Sequence, residues 1–186
     1  HEYLIEQLQY QSVASTGATG SHDLNFNHPV KELVWAFGSD GTHAADIAGG
    51  GANEGEESTI ASFCTMGAGE FKLKLNGHDR MAKRDYRYFT RTQVYQHHTG
   101  YGGTTARDSL AVYSFALKPE EHQPSGTCNF SRIDNAQLTI ETAVTNGGDD
   151  ASSPGADTDL DTLHIYAVNY NVLRIMSGMG GLAYSN

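Results

Sequence analysis

Nine histidines and a run of alternating aspartates are the residues of this chain that first invite a chemical reading. His97 and His98 are adjacent, so they would point to opposite faces of a strand or stand about 100° apart on a helix, and neither arrangement holds one ion easily. No His-x-His with a downstream Glu completes a three-ligand set elsewhere. Asp157, Asp159 and Asp161 imitate the start of a calcium loop, but the sixth position is Thr162 rather than Gly and the twelfth is Val168 rather than Glu. They read as a solvated acidic loop, and no metal site is expected.

Covalent and phosphate chemistry fare no better. Ser109, Ser114 and Ser177 lie in no G-x-S-x-G context, and neither Cys64 nor Cys128 has a recognisable nucleophile setting. The glycine clusters Gly100 to Gly103 and Gly178 to Gly181 lack a dinucleotide fingerprint and precede no Lys-Ser/Thr, so both read as turns. Asn129-Phe130-Ser131 is a glycosylation sequon, which counts only if the chain meets the modifying machinery. The expectation is a protein with no catalytic residues and no cofactor. The two cysteines, far apart in sequence, fit buried free thiols in a reducing compartment better than a disulfide scaffold.

Charge and composition narrow the class. Twelve Lys and Arg against 22 Asp and Glu give a net charge of −10. Only Lys72, Lys74, Arg80, Lys83, Arg84, Arg87 and Arg91 cluster, and such a run is more often a solvated face than a ligand site. Wrapping of nucleic acid is disfavoured, because phosphate contacts need a dominant basic face. No apolar run approaches the roughly 18 residues of a membrane span, and the first residues show neither the basic nor the apolar region of a signal peptide. At 186 residues the chain fits one domain that can bury an ordinary core. Its 21 glycines favour strands and turns over helices.

The elements bear this out along the chain. Val30 to Phe37, Phe71 to Leu75, Leu110 to Leu117, Gln137 to Thr142 and Leu163 to Ile175 are rich in β-branched and aromatic residues. Phe71, Leu73 and Leu75 alternate strictly with two lysines, which predicts one buried and one wet face. The last segment is semi-apolar on both faces and reads as a long central strand. Glu2 to Val13 fits both periods and is assigned to strand; Lys83 to Gln93 alone reads as helix. The predicted core holds Trp35, Phe37, Phe71, Leu73, Phe115, Leu138, Ile140, Ile165 and Val168. Long polar stretches, among them Gly38 to Ser58 and Thr145 to Asp159, separate the strands, and with no βαβ alternation the pattern predicts an antiparallel β-sandwich.

Several longer strings then resemble a known family. NHPVKELVWAF (Asn27 to Phe37), FKLKLNGHDR (Phe71 to Arg80), YQHHTG (Tyr95 to Gly100), YSFALKPEEHQPSGTCNFSRIDNAQLTI (Tyr113 to Ile140) and YAVNYNVLRIMSGMGGLAYSN (Tyr166 to Asn186) are similar to the C-terminal part of the major capsid protein of nucleocytoplasmic large DNA viruses, of the algal-virus and iridovirus type. The resemblance spans essentially the whole chain, in the family's order. It implies an all-β fold, an antiparallel jelly-roll sandwich with long Gly- and Asp-rich loops and one short helix. Residues 1–186 would form the second jelly roll of a double jelly-roll protein, lacking the strand that precedes HEYLIEQ-like text in relatives.

The implied function is structural: homotrimeric capsomers that tile an icosahedral shell, with neighbouring capsomers and minor capsid proteins as partners. No direct contact to nucleic acid and no membrane insertion are expected. The location would be the virion capsid, assembled in the host cytoplasm. Gly38 to Ser58 and Thr145 to Asp159 are expected at the outer tower or between protomers. Relatives usually carry a Pro two residues before YQHHT-like text, whereas Gln93-Val94-Tyr95 stands here, so the helix is expected to run further. A jelly-roll carbohydrate-binding module is the alternative, and it would need aromatic platforms on one sheet face. A cupin-like metalloenzyme would need three converging His or carboxylate groups.

Overall fold

A computed structural model describes residues 1–14, 20–38, 69–100, 110–141 and 162–184, with the backbone alone at 37 and 38. The segment that fits both periods is a strand. β1 (Glu2–Ala14) pairs antiparallel along its whole length with β10 (Thr162–Met176), from Glu2 opposite Arg174 to Ala14 opposite Thr162. Pairing at this scale overrides a helical turn's worth of local preference. The other edge of β10 is covered by β3 (Pro29–Gly38) and then by β11 (Met179–Leu182). β7 (Ala111–Ser114) and the two-residue β8 (Cys128–Asn129) complete this six-stranded sheet along β3.

The second sheet runs β2 (Gly20–Asp23), β9 (Ala136–Glu141), β4 (Glu70–Leu75) and β5 (His78–Asp79), with β6 (Arg84–Asp85) pairing the start of β4. β1 and β3 lie in the first sheet and β2 and β4 in the second, and β7 and β10 return to the first sheet on either side of β9 in the second. This is the wrapping of a jelly roll.

Val30, Leu33 and Trp35 of β3, Phe71 and Leu73 of β4, Leu138 and Ile140 of β9, and Leu163, Ile165 and Ala167 of β10 fill the space between the sheets. Trp35, Phe71 and Phe89 meet with ring centroids 5.2 to 5.6 Å apart in tilted and edge contacts, which favour the ring quadrupoles. Six of the nine expected core residues are buried. Phe115 is half-buried against the core, and the side chain of Phe37 lies outside the described residues. Val168 is a correction: the inward residues of β10 are the odd-numbered ones, so Val168 turns to the outer face opposite Leu8.

Three further boundaries differ. β7 stops at Ser114, because the N–H groups of Phe115 and Ala116 both turn to the Lys31 carbonyl, at 2.9 and 3.2 Å. The helical run begins later than Lys83, since Arg84 and Asp85 are held in β6 by Phe71 and Glu70. It consists of a widened π-type turn (Tyr88–Thr92) and α1 (Gln93–His97), and so extends past Gln93. Gly178 is in a turn as expected, with Ser177, but Gly180 and Gly181 lie in β11.

Candidate functional site

The sequence VKEL places two charged residues between apolar ones, which breaks the period of two. In the structure, pairing steps from Val168 opposite Glu32 to Asn169 opposite Val30, so Lys31 is an extra residue on β3. Such a bulge re-aims side chains. Val30 and Leu33 both enter the core, and Lys31 and Glu32 both turn to the outer side of the six-stranded sheet.

Lys31 is buried, with its side chain 4% exposed. Its Nζ lies 2.7 Å from Glu6 Oε1, donates to the Pro119 carbonyl at 2.7 Å, and stands 5.6 Å from the centroid of the Tyr170 ring. A buried ammonium requires such compensation. Beside it, His98 at the C-terminal end of α1 sits between two carboxylates. Nε2 is 3.1 Å from Glu32 Oε2, an ion-pair approach without hydrogen-bond alignment, and Nδ1 is 3.3 Å from Glu120 Oε1. The other Glu120 oxygen accepts from the Thr99 hydroxyl at 2.7 Å and the Thr99 N–H at 3.0 Å. Burial pushes the Glu32 carboxyl above its usual range against the pull of His98 and Lys31, while the Thr99 hydrogen bonds hold Glu120 below its own.

Tertiary anchors position this cluster. The Ser114 N–H donates to Gln93 Oε1 at 3.0 Å, and Gln93 Nε2 donates to the Tyr88 hydroxyl at 2.9 Å, which fastens the helical run to β7. His97 points away from its neighbour, with Nδ1 3.0 Å from the Leu117 carbonyl. Adjacent histidines thus diverge here. Among the described residues no group of three or more His, Cys, Asp or Glu is arranged to hold a metal.

Outside the cluster, the same sheet face carries exposed apolar side chains. Leu8 and Tyr10 of β1 lie opposite Val168 and Tyr166 of β10, with the two tyrosine rings 5.0 Å apart and the Tyr10 hydroxyl 2.7 Å from His164 Nδ1. Met176 and Met179 are exposed at the β10–β11 hairpin, and exposed Leu182, opposite Leu173, is on the other face.

The remaining sequence candidates have structural roles or lie elsewhere. Ser114 Oγ donates to the Ala116 carbonyl at 2.7 Å. Cys128 is a free, half-buried thiol that burial pushes up. Asn129 is exposed, and its Oδ1 accepts from the Ser131 N–H at 3.1 Å. In the basic run Lys72 pairs with Asp79 at 2.7 Å, Lys83 pairs with Glu141, and Arg84 and Arg87 lie over Tyr88 and Tyr86. Cys64, Ser109, Asp157, Asp159, Asp161 and the long loops Gly38 to Ser58 and Thr145 to Asp159, apart from the backbone of Gly38, lie outside the described residues, as do three of the four residues from Gly100 to Gly103. No helix among the described residues is long and apolar enough to cross a membrane.

Two antiparallel sheets with this wrapping define a jelly-roll protein. Comparison with known proteins narrows the class. The family described as large eukaryotic DNA virus major capsid protein matches residues 1–181, and the chain belongs to it. It is 44% identical over 205 residues to the major capsid protein of Pyramimonas orientalis virus, covering all of this chain and 43% of that protein. To the major capsid protein of Paramecium bursaria Chlorella virus 1 it is 43% identical over 218 residues, covering all of this chain and 49% of that protein. A quasi-atomic structure of the PBCV-1 virus capsid superposes with a TM-score of 0.76 at 42% identity, over all of this chain and 52% of that one. The chain thus spans about half the length of these relatives. Capsid proteins are structural components, not enzymes, and the carbohydrate-binding alternative finds no support among these relatives.

Proposed function

We propose that this chain is the second jelly roll of a double jelly-roll major capsid protein that assembles as homotrimers into the icosahedral shell of a large double-stranded DNA virus. The observation that carries the reading is the full-length likeness to about half of a chain from the PBCV-1 capsid. Partners on this reading are further copies of the same protein, neighbouring capsomers and minor capsid proteins, in a virion assembled in the host cytoplasm. Weak contacts suffice in a shell, because many copies multiply them.

β1 is the outer strand of its sheet, with β10 its only strand partner among the described residues. Mass measurement and negative-stain microscopy of the full-length protein test the assembly reading: trimers or shells are expected, and a persistent monomer overturns it.

A further inference from the structure

We propose that His98 is a pH-operated latch, which ties the segment after β7 to the outer face of the six-stranded sheet while both ring nitrogens carry protons and loosens it when one proton leaves. The inference rests on the cluster's geometry and stands apart from the assembly reading.

Both ring nitrogens of His98 face carboxylate oxygens, Nε2 toward Glu32 at 3.1 Å and Nδ1 toward Glu120 at 3.3 Å. A neutral imidazole has one N–H and one lone pair, so it can satisfy only one of them and presents a lone pair to the other. The imidazolium alone suits both. The surrounding charges come from every element packed against it: Glu32 and Lys31 from β3, Glu6 from β1, Glu120 and His122 from the segment after β7, with His122 3.9 Å from Glu6. Lys31 is already committed to Glu6 and the Pro119 carbonyl, so it cannot take the place of His98 between Glu32 and Glu120. His97 faces the Leu117 carbonyl instead.

Loss of the proton therefore leaves Glu6, Glu32 and Glu120 around one buried ammonium. Glu120 is the more accessible of the two, its side chain 39% exposed against 12% for Glu32, and after the loss only the Thr99 hydrogen bonds hold it to this end of α1. The segment it holds includes Lys118, whose N–H donates to Ser125 Oγ at 2.9 Å, and Glu121, whose N–H reaches the Lys118 carbonyl at 3.4 Å. These two amides report on it.

Hydrogen–deuterium exchange of the full chain, corrected for intrinsic rates, at about pH 5.5 and about pH 8 tests the latch. Protection at Lys118 and Glu121 should fall about two- to fivefold at the higher pH, as loss of one partly exposed ion pair implies. In His98→Gln, which carries no titrating proton, and in Glu120→Gln, the fall should vanish. Amides of β4 and β9 should show no change in any of the three proteins. Equal protection of the segment at both pH values, persistence of the fall in His98→Gln, or a parallel change in β4 and β9 would each overturn the proposal.

Discussion

The side-chain amide of Gln9 pairs with the main chain of Asn27 as a neighbouring strand would: Nε2 donates to the Asn27 carbonyl at 2.7 Å, and Oε1 accepts from the Asn27 N–H at 3.0 Å. Gln11 repeats the device two residues on, donating to the Asp23 carbonyl at 2.7 Å and accepting from the Asn25 N–H at 2.9 Å. These glutamines stand on the inner side of β1, where the chain after β2 crosses between the sheets. They close the side of the sandwich with hydrogen bonds where apolar packing ends. Gln9 Nε2 also donates to Oδ1 of the buried Asn169 at 3.0 Å.

Replacing Gln9 with Leu leaves a main-chain N–H, a main-chain carbonyl and the Asn169 oxygen without this partner. The expected cost is about 1–3 kcal/mol, read as a lower midpoint in urea unfolding. A midpoint equal to wild type would show that water replaces the ladder without penalty.

Lys31→Met removes the buried ammonium while keeping most of the side-chain volume. Because Glu6 keeps access to water, the loss should stay below that of a wholly buried pair, at about 2 kcal/mol, whereas Glu6→Gln leaves the buried ammonium without its counter-charge and should cost more. Paired unfolding curves of the two variants decide the order.

Glu32 sets a pH dependence whose sign follows from its burial. Burial holds its carboxyl above the ordinary value of 4.5 in the folded protein, so between 4.5 and that higher value the folded protein binds more protons than the unfolded chain. Its contribution to stability therefore falls as pH rises through that window. In Glu32→Gln this component of the fall should disappear, measured by urea unfolding at about pH 4.5 and about pH 7.

Phe71→Ala should cost about 3–5 kcal/mol, since the ring is 1% exposed and meets both Trp35 and Phe89 edge-on. Val168→Ala, on the outer face, should cost about 1 kcal/mol or less. Thermal melts of the two variants check which face is the core.

Two glycines separate conformational cost from collision. Gly178→Ala sits in the β10–β11 turn at φ +79° with open space around its Cβ, so only strain of about 1 kcal/mol is expected. At Gly126, φ is +149° and a Cβ would lie 2.7 Å from the Phe115 carbonyl oxygen, so the backbone beside Lys31 must shift. The Gly126 variant should melt well below the Gly178 variant.

Much of the fold was legible because period-two patterning is local. The alternation in FKLKL places Phe71 and Leu73 inside wherever the strand sits, and the length and two-sided apolarity of Leu163 to Ile175 mark a central strand. The strings shared with capsid proteins pointed to the family. What the residues alone could not reveal is which partners long-range pairing supplies. β1 became a strand because β10 lies beside it, and Lys31 became a buried cation because a bulge forms against Asn169, with Glu6 and Pro119 arriving from 25 residues before and 88 after. The KE pair between Val30 and Leu33 was the visible trace of that bulge. Nothing in the sequence around His98 pointed to its neighbours, which are carboxylates from β3 and from the segment after β7. Sequence carries the periodicity of a strand's two faces. Only the assembled sheets decide which charges meet, since that depends on register between segments far apart in the chain.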